Sequence, residues 1–515
     1  MKEKIWIVDF GSQYTQLITR RTRELGFSNK IFILEDALAR MQKGEYPEAV
    51  ILSGGPQSVF EDTTDFSPLF SNKKIPVLGI CYGMQIMGQF FGGKVERGTQ
   101  GEYGKAEVTF EKIAQFKKLK NKFQAWMSHF DHVTKVPKDF SVIGKSANNL
   151  IAGMMHNERP LMAFQFHPEV EHTEQGREIL SAFFELAGLK KDWSTNAMLE
   201  LCAQEFKNLN DAKVLCAFSG GVDSLVAAML AHREIGKNLF CFFVDHGLLR
   251  PQDHHHIELL KEHTPLQIEV IDAKDIFYSK LFGVKDPEEK RKIIGKTFIE
   301  VFEQKVNEYT KKKKINFEYL LQGTLYPDVI ESVSPHKKGG KSVTIKSHHN
   351  VGGLPERMKL KLVEPLRMLF KDEVRQMGVQ LGLKSEWVNR HPFPGPGIGI
   401  RVLGELSEAS IKKVQLSDQI LFEELTKQSL YQKCWQAFTV LLPVKTVGVK
   451  GDARAYEEVI CLRMVNSQDG MTADWSQMPM SFLAHVSSRI CNEVPGITRV
   501  VYDITSKPPG TIEWE

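Results

Sequence analysis

The sequence predicts two successive doubly wound, mostly parallel-sheet α/β domains followed by a smaller α+β C-terminal domain. Three observations carry this. Short apolar runs ending in small or polar turn residues recur through the first 190 residues, as in strands buried on both faces of a parallel sheet. A second series of the same kind opens at Val214. A block of prolines and glycines at 390–397 then interrupts the pattern, because neither a helix nor a central strand continues through it.

The first series comprises Ile5–Asp9, Ala49–Ser53 and Val77–Ile80, and Gln175–Leu189 reads as a closing helix. Lys190-Lys191-Asp192 follows as a short polar linker, placing the first domain at 1–191. The second domain, 192–390, contains strands at Val214–Phe218, Leu239–Asp245 and Ile268–Asp272, with helical segments between them. Ser334–Asn350, with its Lys, Gly and His, reads as a loop or lid. The third domain, 391–515, holds a helix at Glu408–Lys427 and β-rich stretches at Val440–Val449 and Thr498–Ile504. No internal repeat is visible.

Composition narrows the function classes. Hydrophobic residues make up 42% and charged residues 25% of 515, values of an ordinary globular protein rather than a disordered or coiled-coil chain. A net charge of +4 is weak for a dedicated nucleic-acid binder. The seven cysteines form no C-x-x-C pair, which fits a reducing cytosol better than a disulfide framework. Neither a signal-peptide core nor an apolar run of membrane-spanning length is present in the sequence. The expectation is a soluble cytoplasmic protein with neither membrane nor nucleic acid as partner.

Two segments carry chemistry. Pro76-Val-Leu-Gly79-Ile-Cys81-Tyr-Gly83-Met-Gln85 has the form strand, G-x-C-x-G, helix, the thiol counterpart of a nucleophile elbow. The positive end of the helix beside Cys81 favours a thiolate. Phe164-Gln-Phe-His167-Pro-Glu169 ends another strand with imidazole and carboxylate at i and i+2, a spacing that suits a base and its orienting group. Ser53-Gly54-Gly55-Pro56 follows a third strand, where backbone N–H groups could face an oxyanion.

The second segment runs from the strand Val214–Phe218 through Ser219-Gly220-Gly221-Val222-Asp223-Ser224 into an apolar helix, Leu225–Ile235. Glycines, two hydroxyls and a helix N-terminus together suit phosphate. The lysine of a Walker A loop is missing, so a P-loop NTPase is excluded. Asp223 sits in the loop instead, either capping the helix or holding Mg2+. Asp328 has the same two readings at the end of Gln322-Gly-Thr-Leu-Tyr-Pro-Asp328.

Residues 1–190 resemble the class I glutamine amidotransferases. That resemblance implies that Cys81 attacks the glutamine amide, His167 acts as base and Glu169 orients it. It also implies an oxyanion hole from the amides of Gly55 and Tyr82, a seat for substrate at Gln85, and a glutamine pocket along Ser128-His129-Phe130-Asp131. The loop at 219–224 resembles the PP-loop of ATP pyrophosphatases, which implies ATP binding by Ser219, Gly220, Gly221, Val222, Asp223, Ser224, Leu225 and Val244. An ammonia generator fused to an adenylating domain suggests an amidating synthetase.

The whole length is similar to the glutamine-hydrolysing GMP synthase family, through stretches such as Gly11-Ser-Gln-Tyr-Thr-Gln-Leu-Ile, His391-Pro-Phe-Pro-Gly-Pro-Gly and Lys507-Pro-Pro-Gly-Thr-Ile-Glu513-Trp-Glu. This implies the substrates glutamine, ATP and XMP, Mg2+ with ATP, no organic prosthetic group, and a homodimer. It also implies XMP contacts at Arg291, Lys507 and Glu513, and a lid at Lys346. Lys450 departs from that family's tendency toward Gln and is left out of the expected contacts. His254-His255-His256 is not read as a metal site, because consecutive helical residues point apart. The alternatives are a PP-loop amidating synthetase with another acceptor and a catalytically silent nucleotide-binding protein.

Overall fold

The computed structural model describes residues 4–117, 119–333, 360–450, 453–467, 470 and 472–515. It forms two compact units, Met1–Met198 and Leu199–Glu515.

The first unit is built on a nine-stranded sheet in the order β2-β1-β3-β4-β9-β8-β7-β5-β6. Its strands are β1 (Ile5–Asp9), β2 (Asn29–Ile33), β3 (Ala49–Leu52), β4 (Val77–Ile80), β5 (Lys94–Phe110), β6 (Lys122–Lys135), β7 (Phe140–Ser146), β8 (Ile151–His156) and β9 (Leu161–Phe164). β2, β1, β3, β4 and β9 are parallel. Ile5, Ile7, Ile51, Leu78 and Ile80 face one core while Trp6, Val8, Val50, Leu52 and Val77 face another. Both faces are covered, which is why these strands read as unbroken apolar runs. The closing helix spans Gly176–Leu186. An antiparallel extension, β8-β7-β5-β6, continues the sheet; the apolar runs alone do not announce it.

In the second unit five parallel strands run β12-β11-β10-β13-β14. They are β10 (Lys213–Ala217), β11 (Leu239–Asp245), β12 (Ile268–Asp272), β13 (Phe317–Leu321) and β14 (Lys361–Val363). A four-stranded sheet follows, with β15 (Gln436–Lys450) and β16 (Ala453–Asn466) as a long antiparallel hairpin, β17 (Asp474–Trp475) and β18 (Ile497–Tyr502). The helix Glu408–Lys427 begins on Ser407, whose hydroxyl accepts from the Ser410 N–H, the N-cap arrangement that fixes a helix start. The parallel sheets and the smaller α+β region match the predicted fold class. One apolar cluster runs from Leu215 and Phe242 through Ile398 and Val414 to Ile460 and Phe482, so both sheets of this unit share a core.

In each parallel sheet the strand order reverses beside the central strand, between β1 and β3 and between β10 and β13. Ligands of such sheets bind at the carboxyl ends of the strands, at that reversal. The phosphate loop follows β10, at the second of these reversals, whereas the elbow follows β4, one strand beyond the first. Among the described residues, no helix is long and apolar enough to cross a membrane.

Candidate active sites: a buried thiol and a phosphate loop

Cys81 joins β4 to the helix Tyr82–Phe90 with φ 52° and ψ −104°, a conformation costly for a residue with a Cβ. The turn is tight because its glycines let it be. A Cβ on Gly79 would lie 2.7 Å from the Gly83 carbonyl oxygen, and one on Gly83 would lie 2.6 Å from that of Leu52. The Cys81 N–H donates to the Phe164 carbonyl at 2.8 Å, and Gly83 N–H to that of Ser53 at 3.1 Å. The thiol is thus held between the ends of β3, β4 and β9.

His167 follows β9 and is fixed from both ends. Its N–H donates to the Trp126 carbonyl at 3.0 Å, and its own carbonyl accepts from Thr173 Oγ1 at 2.7 Å. Nδ1 lies 2.8 Å from Glu169 Oε1, while Tyr14 packs edge-on against the ring at 4.8 Å. Burial pushes the His167 pKa down, but the Glu169 charge and hydrogen bonds to Cys81 and Glu169 outweigh it and raise the pKa to about 10. The site therefore favours an imidazolium beside the sulfur. Glu169 is fully buried, and its Oε2 has no hydrogen-bond partner among the described residues.

The glycine packed against this pair is Gly54, which the sequence pattern does not separate from Gly55. A Cβ on Gly54 would lie 3.1 Å from His167 Cε1 and 3.6 Å from Cys81 Cβ, whereas one on Gly55 would run into Phe10. Tyr82 opens the helix, where N–H groups lack intrahelical acceptors, and its hydroxyl donates to Asp62 at 2.7 Å. Gln85 is held by its amide nitrogen. Its Nε2 donates to the Asp131 carbonyl at 2.8 Å, bracing the 128–131 segment whose Ser128 carbonyl lies 3.7 Å from Cys81 Sγ. Gln165, unremarked in the sequence, places Nε2 3.8 Å from the same sulfur.

The phosphate loop leaves β10 and enters the helix Val222–Ile235. Ser219 and Ser224 hydroxyls lie 2.9 Å apart, Ser219 Oγ accepts from the Gly221 N–H at 3.3 Å, and Ser224 Oγ donates to the Gly221 carbonyl at 3.1 Å. The turn after β13 presses on it: a Cβ on Gly323 would lie 2.9 Å from the Asp223 carbonyl carbon. Val222, Leu225 and Val244 have buried side chains, so only their main chain can face a nucleotide.

Asp223 takes neither role cleanly. No side-chain cap forms at its helix; Oδ2 pairs with Lys371 Nζ at 3.1 Å, and Oδ1 is buried without a partner among the described residues. An orphaned carboxylate oxygen beside a phosphate loop fits Mg2+, which needs one or two carboxylates when phosphates supply the rest. Asp328 shows the capping contact of its two readings: its Oδ2 accepts from the Leu325 N–H at 2.9 Å, ahead of the helix Tyr326–Val333. No group of three or more His, Cys, Asp or Glu suited to a metal occurs among the described residues. His254 is partly exposed, His255 exposed and His256 buried, so the three histidines do point apart.

Of the expected XMP residues, Arg291 meets the end of the C-terminal tail, while Glu513 and Lys507, both on the tail, bond to other parts of the second unit. Arg291 donates to the Glu515 carbonyl. Glu513 is correspondingly not a free acceptor. Arg401 binds both its oxygens, at 2.9 and 3.1 Å, and Gln436 adds a third bond at 2.8 Å. Lys507 Nζ donates to the Gly470 carbonyl at 2.7 Å. The fully buried Lys290 grips Glu515 Oε2 at 2.7 Å. Lys346 and the segment 334–350 lie outside the described residues.

Comparison with known proteins gives a family for these features. Residues 6–187 match the model of the class I glutamine amidotransferases, and 423–514 that of the GMP synthase C-terminal domain. A Helicobacter pylori protein named GMP synthase (glutamine-hydrolyzing) is 52% identical across 99% of this chain and 100% of its own length. The chain belongs to the glutamine-hydrolysing GMP synthase family. Relatives of the same name from Petrotoga mobilis and Aquifex aeolicus are each 49% identical over 100% of both chains. Membership of this family explains why a thiol centre and a phosphate loop occur on one chain.

Proposed function

We propose that this chain converts XMP to GMP, using glutamine as nitrogen source and ATP to activate the acceptor oxygen. The observation that carries the proposal is the buried Cys81–His167–Glu169 arrangement on the same chain as a complete Ser-Gly-Gly-Val-Asp-Ser loop. His167, oriented by Glu169, already holds the proton drawn from the thiol, and the Cys81 thiolate attacks the side-chain amide carbon of glutamine. The oxyanion that forms meets backbone N–H groups at the end of β3 and at the start of the Tyr82–Phe90 helix. Gly55 and Tyr82 supply those N–H groups in this reading. His167 then returns its proton to the leaving ammonia, and water releases glutamate from the thioester.

In the second unit the phosphate loop receives the β and γ phosphates while the acceptor oxygen of XMP attacks the α-phosphorus and pyrophosphate departs. Ser219, Ser224 and the N–H groups of 220–222 hold the leaving group, and Lys371 adds positive charge. Mg2+ bound with ATP would lie on Asp223 and neutralise phosphate charge. Ammonia displaces AMP and leaves GMP. Keeping ammonia away from bulk water preserves the unprotonated form that attacks. Arg291, Lys507 and Glu513 are assigned to XMP on family grounds, with Glu513 held by Arg401 and Gln436, and Lys346 remains the lid candidate.

The division of the second unit into a synthetase part, 192–390, and a C-terminal part, 391–515, belongs to the same reading. So does a homodimer formed by the C-terminal part. Val449, Tyr456 and Ile504, on and beside the last sheet, are 77%, 67% and 62% exposed and offer side chains that such an interface would cover. The working place in this reading is the cytoplasm.

Product analysis tests the proposal. Purified protein with XMP, Mg-ATP and glutamine should give GMP, AMP and pyrophosphate in equal amounts. Cys81→Ala should lose this with glutamine and retain it with an ammonium salt. Absence of AMP formation with XMP present would assign the activity to another acceptor.

A further inference from the structure

The antiparallel extension of the first sheet contains a break that places a buried carboxylate behind the thiol centre. In the β5–β6 ladder Arg97 stands opposite Asp131, and the next pair is Glu102 opposite His129. Residues 98–101 therefore face Phe130 alone. Bulges of this kind re-aim side chains and gather beside active sites. After the break Glu102 points inward, 9% exposed, while its neighbour Tyr103 points outward at 70%.

The Glu102 carboxylate is fully engaged. Oε1 accepts from Ser146 Oγ at 2.9 Å and Asn148 Nδ2 at 2.8 Å, and Oε2 lies 3.2 Å from His129 Nε2. Burial raises its pKa, but the bonds from His129, Asn148 and Ser146 outweigh this and lower it. The other nitrogen of His129, Nδ1, lies 3.2 Å from the Asp131 carbonyl. That carbonyl also receives Gln85 Nε2, and the Asp131 carboxylate accepts from Ser58 Oγ at 2.6 Å. The Ser128 carbonyl, one residue before His129, faces the sulfur of Cys81. A continuous chain of bonds thus joins Glu102 to the helix that carries the nucleophile.

We propose that Glu102 is a positioning residue: through the His129 ring it sets the 128–131 edge against which glutamine lies when Cys81 attacks. This rests on the proposed glutamine hydrolysis. Glu102 is bonded to His129, Ser146 and Asn148 rather than to Cys81 or His167, so it acts by placement and not by proton transfer. Apolar residues would fill the same space with less desolvation. What they would lack is a fixed orientation for His129; the analogous partners behind metal-binding histidines are worth about 10–100-fold when removed.

The test is steady-state glutamine hydrolysis by the full chain, with wild type, Glu102→Ala and Glu102→Gln side by side. Glu102→Ala should raise the glutamine KM about tenfold or more, with kcat within about threefold. Alkylation of Cys81 by iodoacetamide should keep its wild-type rate, which reports that the nucleophile and its surroundings are folded. Glu102→Gln should restore most of the KM, because its oxygen still accepts from Ser146 and Asn148 and its amide can donate to His129 Nε2. If Glu102→Ala does not fold, the Ser146→Ala/Asn148→Ala pair, which leaves the carboxylate in place, should raise KM by a smaller factor. An unchanged KM in whichever of these variants folds overturns the proposal. So does a loss of kcat at constant KM, or a Glu102→Gln KM as high as that of Glu102→Ala. Wild type unable to hydrolyse glutamine would instead sink the parent reading, and this proposal with it.

Discussion

Glu169 Oε1 lies 2.8 Å from His167 Nδ1, and both side chains are almost wholly removed from solvent. The pair does for the thiol centre what neither residue could do alone. A buried imidazole by itself would lose its proton readily; beside a buried carboxylate and a thiol it keeps it.

The first prediction follows from that pair. The His167 pKa stands at about 10 against an ordinary 6.5. A protonated ring stabilises the fold fully below the ordinary value, and that contribution is lost as pH rises through about 10. Glutaminase activity and melting temperature should therefore hold across neutral pH and fall together near that upper value. Glu169→Gln removes the charge that raises the pKa, so the alkaline limb should move down by about one pH unit or more. It should also cost roughly 10²-fold in kcat. A pH–rate profile with glutamine, beside one with ammonium, checks both, and an unmoved alkaline limb would contradict the assignment.

A methyl group tests the packing of the turn after β3. Gly54→Ala places a Cβ 3.1 Å from His167 Cε1 and 3.4 Å from Ser12 Oγ, so the ring or the loop must give way. Displacements of this order cost about 10²-fold when they touch reacting groups. Glutamine-driven synthesis should fall by roughly that factor, with the ammonium-driven rate unchanged.

Lys371→Ala probes the phosphate loop from outside it. The lysine reaches Asp223 Oδ2 at 3.1 Å from the first turn of the helix Lys371–Gln380. A charged hydrogen bond of about 1.5–3 kcal/mol translates to roughly 10- to 100-fold in ATP-dependent pyrophosphate release. Glutamine hydrolysis measured alone should be untouched. Equal losses in both half-reactions would mean that Lys371 supports folding rather than phosphate.

These sites differ in how far the sequence betrays them. Cys81, His167 and the Ser219–Ser224 loop are legible because each sits at the end of an apolar strand, in a motif only a few residues long. Lys371 is not, since it meets Asp223 across 148 residues and local spacing carries no trace of that. β5 escapes a reading by alternation because it runs 17 residues with a register break in its middle. Arg401 and Lys290 look like ordinary surface charges in sequence, yet both are fully buried. Their partners are carboxylates of the last three residues, far along the chain. The bonds of the Glu513 carboxylate to Arg401 and Gln436 leave no trace in the sequence, because a tail looks solvated until its cationic partners are placed.

Glu513→Ala decides what that carboxylate does. It would leave the fully buried Arg401 guanidinium without its two-oxygen partner, where Nη1 already lacks a hydrogen-bond partner among the described residues. Breaking one side of a buried pair costs about 3–5 kcal/mol, so the urea midpoint of the second unit should drop sharply. Arg401→Met with Glu513→Leu removes both charges together and should recover much of that loss, because the desolvation cost disappears with the pair. A Glu513→Ala protein of wild-type stability whose only defect is a raised XMP KM would show instead that Glu513 meets the substrate directly, with Arg401 merely holding it in place.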